Sequence, residues 1–273
     1  MSFKEISEEI TKEFLQTVVV VDDKAEFIDK DDNAEVISGV PKEGDALKKS
    51  EPKEETNLKT FVDTENLNAK KIIDSFAQYG MVCSVLKPYQ GELDLVDKVI
   101  QVAKRVDVVV LDWNLNGDNG SSTIEIIKSL LNTDTPPRLR LIVIYTGENK
   151  TSIVDDVLIE LRDKTEVSFE NWEHTNGLKI GHTLISVFVK KGVSTKFSIE
   201  PEELPQKIIE EFTKIYSGLI PSTALKSIGI LRDNTHNLLG TLKSELDPPY
   251  LSHRALLPQP EDAEEHILDL SRF

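Results

Sequence analysis

Short runs of apolar, mostly β-branched residues recur along the 273-residue chain and predict five strands. In each run the hydrophobic residues are consecutive rather than alternating, which is typical of strands covered on both faces, as in parallel sheets. The five runs are TVVVVDD (17–23), MVCSVL (81–86), VDVVVLD (106–112), LRLIVIYT (139–146) and LISVFVKK (184–191).

Segments with the helical spacing of apolar residues separate these strands. They lie at 67–79, 93–103, 124–131 and 153–161, and Gly80 is a typical residue to end the first of them. A last helix within 200–218 closes the body near residue 217. Because strand and helix alternate, the pattern predicts an α/β fold with right-handed crossovers and a doubly wound parallel sheet.

Two insertions and a tail depart from this alternation. The segment 24–66 is rich in Asp, Glu and Lys, so we expect a mobile acidic loop there. The second insertion, 165–183, contains Phe169 and Trp172, and we expect it to be ordered. The predicted organisation is therefore a domain at 1–217 with two insertions and a helical extension at 218–273.

The helical extension contains an apolar stripe between Leu225 and Leu242. Its members share one helical face: Leu225, Ile228, Leu231, Leu238, Leu239 and Leu242. An uncovered stripe of this kind marks an interface, so we expect it to pack on a second copy of the chain, as a homodimer, or on another protein.

Composition and charge exclude several classes of function. The net charge of −16 and the pI of about 4.8 disfavour binding to nucleic acid or to anionic lipid. No stretch approaches the length of about eighteen apolar residues that a membrane span needs. The lone cysteine, Cys83, cannot form an internal disulfide, and the first residues lack the apolar core of a signal peptide. We therefore expect a cytoplasmic protein.

Acidic side chains follow two of the predicted strands. Asp22 and Asp23 end the first strand and Asp112 ends the third. In a flavodoxin-like sheet of order 2-1-3-4-5 these strands are neighbours, and ligands bind outside their carboxyl ends. Packed carboxylates repel each other, so the cluster requires a cation or raised pKa values, and Mg²⁺ is the cation that oxygen ligands fit best.

A hydroxyl and an amine end the remaining strands at the same edge. Thr146 ends the fourth strand and Lys190 ends the fifth. Taken singly, each residue has an ordinary interpretation as a turn residue, a helix cap or a solvated lysine. Together with the acids and a divalent cation they are the groups needed to receive a phosphoryl group, with Asp112 as the nucleophile that forms an acyl phosphate.

The segments VVVVDD, LDWNLNGDNG, IVIYTG and VFVKKG, in this order on successive strand ends, resemble the receiver domain of two-component response regulators. The resemblance implies a (βα)5 sheet of order 2-1-3-4-5 and a partner that is a histidine kinase or a histidine phosphotransfer protein. It also implies that Asp22, Asp23, Asp112 and the backbone carbonyl of Asn114 hold Mg²⁺. Asp112 would accept the phosphoryl group from a phosphohistidine.

The resemblance assigns roles to two further residues and is incomplete at three positions. Thr146 would be the switch hydroxyl and Lys190 the phosphate-binding lysine. The chain has Lys191 and Asn116 where the family commonly has proline, and Val187 where it has an aromatic residue. Lys191 leaves open which of the two lysines, Lys190 or Lys191, points inward, and Val187 concerns how phosphorylation is read out rather than its chemistry.

Three classes of function compete. The leading hypothesis is a phosphorylation-controlled switch of protein interactions that catalyses only its own aspartyl phosphorylation and dephosphorylation. The second is a receiver-like binding module that signals without phosphate or acts as a phosphate sink, as Val187 and Lys191 suggest. A haloacid-dehalogenase-type phosphatase would need a second Asp where Asn114 stands, and a dinucleotide oxidoreductase would need a G-x-G-x-x-G motif after the first strand.

His236 leaves a separate question open. The segment RDNTHNLLGTL weakly resembles the histidine-bearing helix of kinase dimerisation or phosphotransfer domains. His236 lies on the flank of the apolar stripe, so it is either a phosphoacceptor or, more commonly for such a position, an exposed helix histidine.

Overall fold

The computed structural model describes residues 2–27, 67–92, 94–133, 138–148, 150–161, 177–190, 198–241 and 244–256. Within these residues the fold is mixed α/β, with a mostly parallel central sheet and flanking helices. Most of the predicted acidic loop, together with Phe169, Trp172 and Lys191, lies outside the described residues. The chain divides into two units, Met1–Gly218 and Leu219–Phe273.

Five adjacent parallel strands form the centre of the sheet. They are β1 (Thr17–Val21), β4 (Val82–Leu86), β5 (Val108–Leu111), β6 (Arg140–Thr146) and β8 (Thr183–Lys190). In the sheet they lie side by side as β4-β1-β5-β6-β8. Strands β5, β6 and β8 are buried along their whole length, which explains why their hydrophobic residues are consecutive.

The sheet has more strands than the five-stranded parallel arrangement expected from the sequence. Strand β7 (Gly177–Ile180) pairs antiparallel with the first half of β8, and β9 (Ser198–Ile199) pairs parallel with its end. The segment 177–183, expected to be part of an insertion, therefore belongs to the sheet. Gly181 has a φ of 55°, so the two-residue turn between β7 and β8 uses a conformation that favours glycine. A separate two-stranded sheet joins β2 (Ala25–Glu26) to β3 (Leu67–Asn68).

Six α-helices lie within the described residues of the first unit. They are α1 (Phe3–Phe14), α2 (Ala69–Gln78), α3 (Leu95–Ala103), α4 (Ser121–Thr133), α5 (Lys150–Leu161) and α6 (Leu204–Ile215). Helix α1 begins with reciprocal hydrogen bonds between Ser2 and Glu5, and it packs against α6. Gly80 follows α2 with a φ of 78°, as the sequence predicted for a helix end.

One large apolar cluster holds one face of the sheet to α3, α4 and α5. Val19, Val109 and Ile142 contribute from three adjacent strands, and each is fully buried. Burying side chains of this size stabilises the fold by about 1.5 to 3 kcal/mol each, measured against full exposure. The cluster fixes the strands whose carboxyl ends carry the candidate site.

The second unit contains α7 (Leu219–Thr241) and α8 (Asp247–Leu256). Of the predicted apolar stripe, Leu225 is buried whereas Ile228 and Leu231 are about half exposed. The side chains of Leu238 and Leu239, and Leu242 altogether, lie outside the described residues. His236 is exposed on α7, and the homodimer stays a prediction. No described helix is both long and apolar enough to cross a bilayer.

Asp107 ties the start of β5 to the start of β1. It is 5% exposed, and its Oδ2 accepts hydrogen bonds from the backbone N–H groups of Gln16 (3.0 Å) and Thr17 (3.2 Å). The same oxygen accepts a third bond, from Oγ1 of Thr17, at 3.1 Å. A buried carboxylate with several donors aligns the two strands whose other ends carry the acids.

We predict that Asp107→Ala lowers the free energy of unfolding by about 1 to 3 kcal/mol, because it leaves the partly buried donors of Gln16 and Thr17 without their acceptor. Urea denaturation measures this change. Asp74→Ala, at an exposed position in the middle of α2, is the matched control and should shift stability by less than about 0.5 kcal/mol. Equal effects of the two substitutions would contradict the role given to Asp107.

Cys83 lies half-buried on β4, and burial raises the pKa of its thiol to about 12. Because the thiolate is the reactive form, we predict that Ellman's reagent reacts with the folded protein at pH 8 about a thousandfold more slowly than with the urea-unfolded chain. Cys83 is the sole cysteine, so the colour change reports this position alone. Equal rates in the two states would show that the thiol is not protected.

Candidate functional site

The carboxyl ends of four parallel strands place the candidate residues at one edge of the sheet. Val21 and Leu111 are paired in the ladder between β1 and β5, so Asp22 and Asp112 follow paired positions. The backbone N–H of Asp112 donates to the carbonyl of Val21 at 2.9 Å, which continues the ladder by one residue. Lys190 ends β8, so the sheet itself brings these groups to a common edge.

The amine of Lys190 joins the two aspartates. Its Nζ lies 2.7 Å from Oδ2 of Asp22 and 2.9 Å from Oδ1 of Asp112. All three residues are buried, with exposures of 7% for Lys190, 1% for Asp22 and 6% for Asp112. Because β6 lies between β5 and β8, the lysine side chain crosses one strand to reach Asp112, and Asp22 follows β1, one strand further along the sheet.

The pKa values follow from burial and from these contacts. Burial alone would lower the pKa of Lys190, but the carboxylates of Asp112 and Asp22 outweigh it and hold the pKa above its ordinary value. Burial raises the pKa of Asp112, and the charge of Asp22 adds to this rise while Lys190 opposes it. The sequence predicted that crowded acids need a cation or raised pKa values, and in the described structure the ammonium of Lys190 binds two of the acids while the pKa of Asp112 is raised.

Asp23 follows Asp22 directly and is the third acidic residue of the site. Its Oδ2 accepts a hydrogen bond from the backbone N–H of Asn116 at 3.0 Å. Its Oδ1 is buried without a hydrogen-bond partner. Burying a carboxylate oxygen without a hydrogen-bond partner costs free energy, and such an oxygen is suited to bind a cation. Among the residues that the structure describes, no three acidic, histidine or cysteine side chains are already arranged as a metal site.

Asn114 and Thr146 border a small cavity beside Asp112. Oδ1 of Asn114 accepts from the backbone N–H of Asn119 at 3.1 Å, and Oγ1 of Thr146 accepts from the backbone N–H of Glu148 at 3.1 Å. Thr146 is 1% exposed. The cavity measures about 80 Å³ and is lined by Lys24, Asp112, Asn114, Thr146, Gly147, Glu148 and Lys190.

The loop after β5 is anchored beneath the site. The hydroxyl of Thr123, which is fully buried, donates to the carbonyl of Asp112 at 2.7 Å. Trp113, which follows Asp112, lies in the core at 3% exposure. Gly120 has a φ of 87°, and a Cβ built on it would overlap the indole ring of Trp113. The loop that presents Asp112 therefore requires glycine at position 120.

Several residues at the site escaped the sequence analysis. The ring centre of Tyr145 lies 5.7 Å from Nζ of Lys190. Tyr145 is paired with Phe188, two residues before Lys190, so strand alternation combined with register would have placed it on the face of the lysine. Lys24 and Glu148 line the cavity, and no sequence pattern pointed to them.

Comparisons with known proteins identify a family. A family model described as a response receiver domain matches residues 14–195, about two thirds of the chain. The curated proteins and the solved structures contain no match to this chain. The matched segment includes all of the candidate site residues, namely Asp22, Asp23, Asp112, Asn114, Thr146 and Lys190.

The contact between Gly120 and Trp113 leads to a stability prediction. Gly120→Ala should lower the free energy of unfolding by about 2 to 4 kcal/mol, because backbone strain at positive φ adds to the overlap with the ring. Gly80→Ala is the matched control, since Gly80 also has a positive φ but a Cβ there would meet nothing within 4 Å. It should cost only about 1 to 2 kcal/mol. Equal losses in thermal unfolding would mean that the indole does not restrict position 120.

Proposed function

Because the chain belongs to the response receiver domain family, we propose that it is a phosphoacceptor of two-component signalling in which Asp112 receives a phosphoryl group. The donor is a phosphohistidine on a histidine kinase or a histidine phosphotransfer protein. The observation that carries the proposal is the buried ion pair of Lys190 with Asp112 and Asp22 at the carboxyl edge of the sheet. This arrangement combines a nucleophile with a fixed positive charge.

The transfer step uses the carboxylate of Asp112 as nucleophile. One of its oxygens forms a bond to phosphorus while the P–N bond of the phosphohistidine breaks. The electron pair of that bond returns to the imidazole nitrogen. The product is an acyl phosphate on Asp112, and hydrolysis of its O–P bond regenerates the carboxylate. The cavity of about 80 Å³ beside Asp112 supports access of a phosphoryl group.

Mg²⁺ is the cofactor that the residues present fit best. Asp22, Asp23, Asp112 and the backbone carbonyl of Asn114 would hold it, and the unpaired buried oxygen of Asp23 supports this assignment. When bound, the ion neutralises negative charge on the phosphoryl oxygens. In the described structure the amine of Lys190 binds Oδ2 of Asp22 and Oδ1 of Asp112. The amine would therefore move if these oxygens bound a metal ion.

Thr146 and Lys190 would respond to the added phosphoryl group. Oγ1 of Thr146 accepts from the backbone N–H of Glu148, so the hydroxyl proton can be donated to a phosphoryl oxygen. The ammonium of Lys190 would exchange its bond to Asp112 for a bond to the phosphoryl oxygens. Both shifts alter the surface around β6 and β8, and we propose that partner proteins bind differently as a result.

The charge of −16 supports protein partners rather than nucleic acid, and we propose a cytoplasmic location.

One observation favours the second candidate, a receiver-like module that signals without phosphate or acts as a phosphate sink. Val187, at the position where the family has an aromatic residue, is 2% exposed and packed in the aliphatic core. This supports a readout that does not use the usual coupling between the threonine and an aromatic residue at that position.

The direct test is phosphorylation of the full-length chain by acetyl phosphate in the presence of Mg²⁺, read by intact mass and by Phos-tag electrophoresis. We predict one phosphate on the wild type, and none on Asp112→Asn or in the presence of EDTA. Asp23→Ala should need about tenfold more Mg²⁺ or more, because a charged ligand is removed. Asp97→Asn, at an exposed position on α3, is the control and should label normally.

Absence of label on the wild type, under conditions that label another receiver domain, would contradict the proposal. Label that persists on Asp112→Asn would assign the acceptor elsewhere. If the wild type is labelled but partner binding is the same for wild type and Asp112→Asn, the second candidate is favoured.

A further inference from the structure

Tyr145 contacts the amine of Lys190 from the strand that the lysine crosses. Strand β6 lies between β8, which carries Lys190, and β5, which leads into Asp112. Tyr145 on β6 is 2% exposed, and the centre of its ring lies 5.7 Å from Nζ of Lys190. This distance is within the range of a cation–π contact, which is strongest when both groups are shielded from water. The ring is therefore a third contact of the amine, besides Asp22 and Asp112.

The other end of Tyr145 is bound to β9. Its hydroxyl donates to the backbone carbonyl of Ile199 at 3.1 Å. Ile199 is paired in the ladder with Lys190, so the same lysine contacts the ring through its amine and β9 through its backbone. The two-residue strand β9 leads directly into the 3₁₀ turn Pro201–Glu203 and then into α6.

The segment after β9 contacts a further part of the fold. The hydroxyl of Ser75 in α2 donates to the carbonyl of Pro201 at 3.3 Å. Nζ of Lys71, also in α2, lies 3.2 Å from Oε1 of Glu202. The opposite face of β6 and β8 is filled by aliphatic side chains, with Val187 paired to Ile144. A chain of contacts therefore links the Lys190 amine through the ring and hydroxyl of Tyr145 to β9 and, through the turn that follows it, to α2.

We propose that Tyr145 is a positioning residue that holds the amine of Lys190 over its ring and couples the position of that amine to β9 and the following turn, residues 198–203. The ring supplies the contact with the amine, and the hydroxyl supplies the contact with β9. Tyr145→Phe therefore separates the two roles, because it keeps the ring at nearly unchanged volume and removes the bond to Ile199. Tyr145→Leu removes both.

The first measurement follows the side-chain resonances of Lys190 by NMR in selectively labelled full-length protein, with Lys190→Met identifying the signal. A ring face shifts nearby nuclei upfield, so we expect an upfield Lys190 signal in wild type and in Tyr145→Phe and its loss in Tyr145→Leu. Tyr79→Leu is the matched control, since Tyr79 carries the same kind of contact, with Lys12 at 5.4 Å, away from the site. An unchanged signal in Tyr145→Leu would overturn the positioning role.

The second measurement tests the coupling by hydrogen exchange of peptides covering 198–203. Tyr145→Phe should accelerate exchange there about two- to tenfold, as expected for loss of one hydrogen bond. Asp112→Asn removes one carboxylate charge from the amine, so it should change exchange at 198–203 in the wild-type background and not in Tyr145→Phe. The same change in both backgrounds, or in neither, would overturn the coupling.

Only the third measurement rests on the proposed function. If Lys190 stabilises the transferred phosphoryl group, Tyr145→Leu should lower the initial rate of labelling by acetyl phosphate about tenfold, with Tyr145→Phe close to wild type. A wild-type chain that takes no label contradicts the proposed function, and the Lys190 resonance and the exchange at 198–203 then decide whether Tyr145 positions the amine. Equal rates in wild type and Tyr145→Leu count against positioning.

Discussion

The site depends on the ion pairs that the ammonium of Lys190 forms with Asp22 and Asp112. It lies within 3 Å of carboxylate oxygens of both Asp22 and Asp112, and all three side chains are almost completely buried. Neighbouring carboxylates in a low-dielectric environment repel each other, and one buried positive charge makes their proximity tolerable. Because Lys190 is on β8 while the acids follow β1 and β5, the ion pair forms only if the central strands keep their register. The site can therefore form only when the central strands of the sheet are correctly paired.

The rest of the first unit supports that geometry from below. Asp107 aligns the starts of β1 and β5, so the same strands end together at Asp22 and Asp112. The hydroxyl of Thr123 binds the backbone carbonyl of Asp112, and Gly120 leaves room for the buried indole of Trp113, the residue after Asp112. Of these residues, Thr123 contacts the backbone of Asp112 directly, whereas Asp107 and Gly120 act on the strands and the loop that carry it. Together they hold the carboxylate of Asp112 in one orientation, as the proposed phosphoryl transfer would require.

Much of the architecture was predictable because it follows from hydrophobic periodicity. The consecutive apolar runs predicted the five central strands, and the strand ends then located Asp22, Asp112, Thr146 and Lys190. The α/β class with a mostly parallel sheet and the membership of the receiver family are confirmed. Strand β7 was missed because its short run lay inside a polar insertion, and α1 was missed although Ser2 and Glu5 carry a capping signal. The direct bonding of Lys190 to two acids and the burial of Trp113 depend on three-dimensional distances that no linear pattern contains. The roles assigned to the site residues stay predictions.

The most direct test of this account is the unfolding free energy of Lys190→Met compared with that of the double variant Lys190→Met, Asp112→Asn. Methionine keeps most of the volume of the side chain and removes its charge. We predict that Lys190→Met lowers the free energy of unfolding by about 3 to 5 kcal/mol, since it leaves buried carboxylates uncompensated, and that Asp112→Asn restores part of this loss in the double variant. A loss below about 0.5 kcal/mol, with no recovery in the double variant, would contradict the claim that the ammonium holds the acids together.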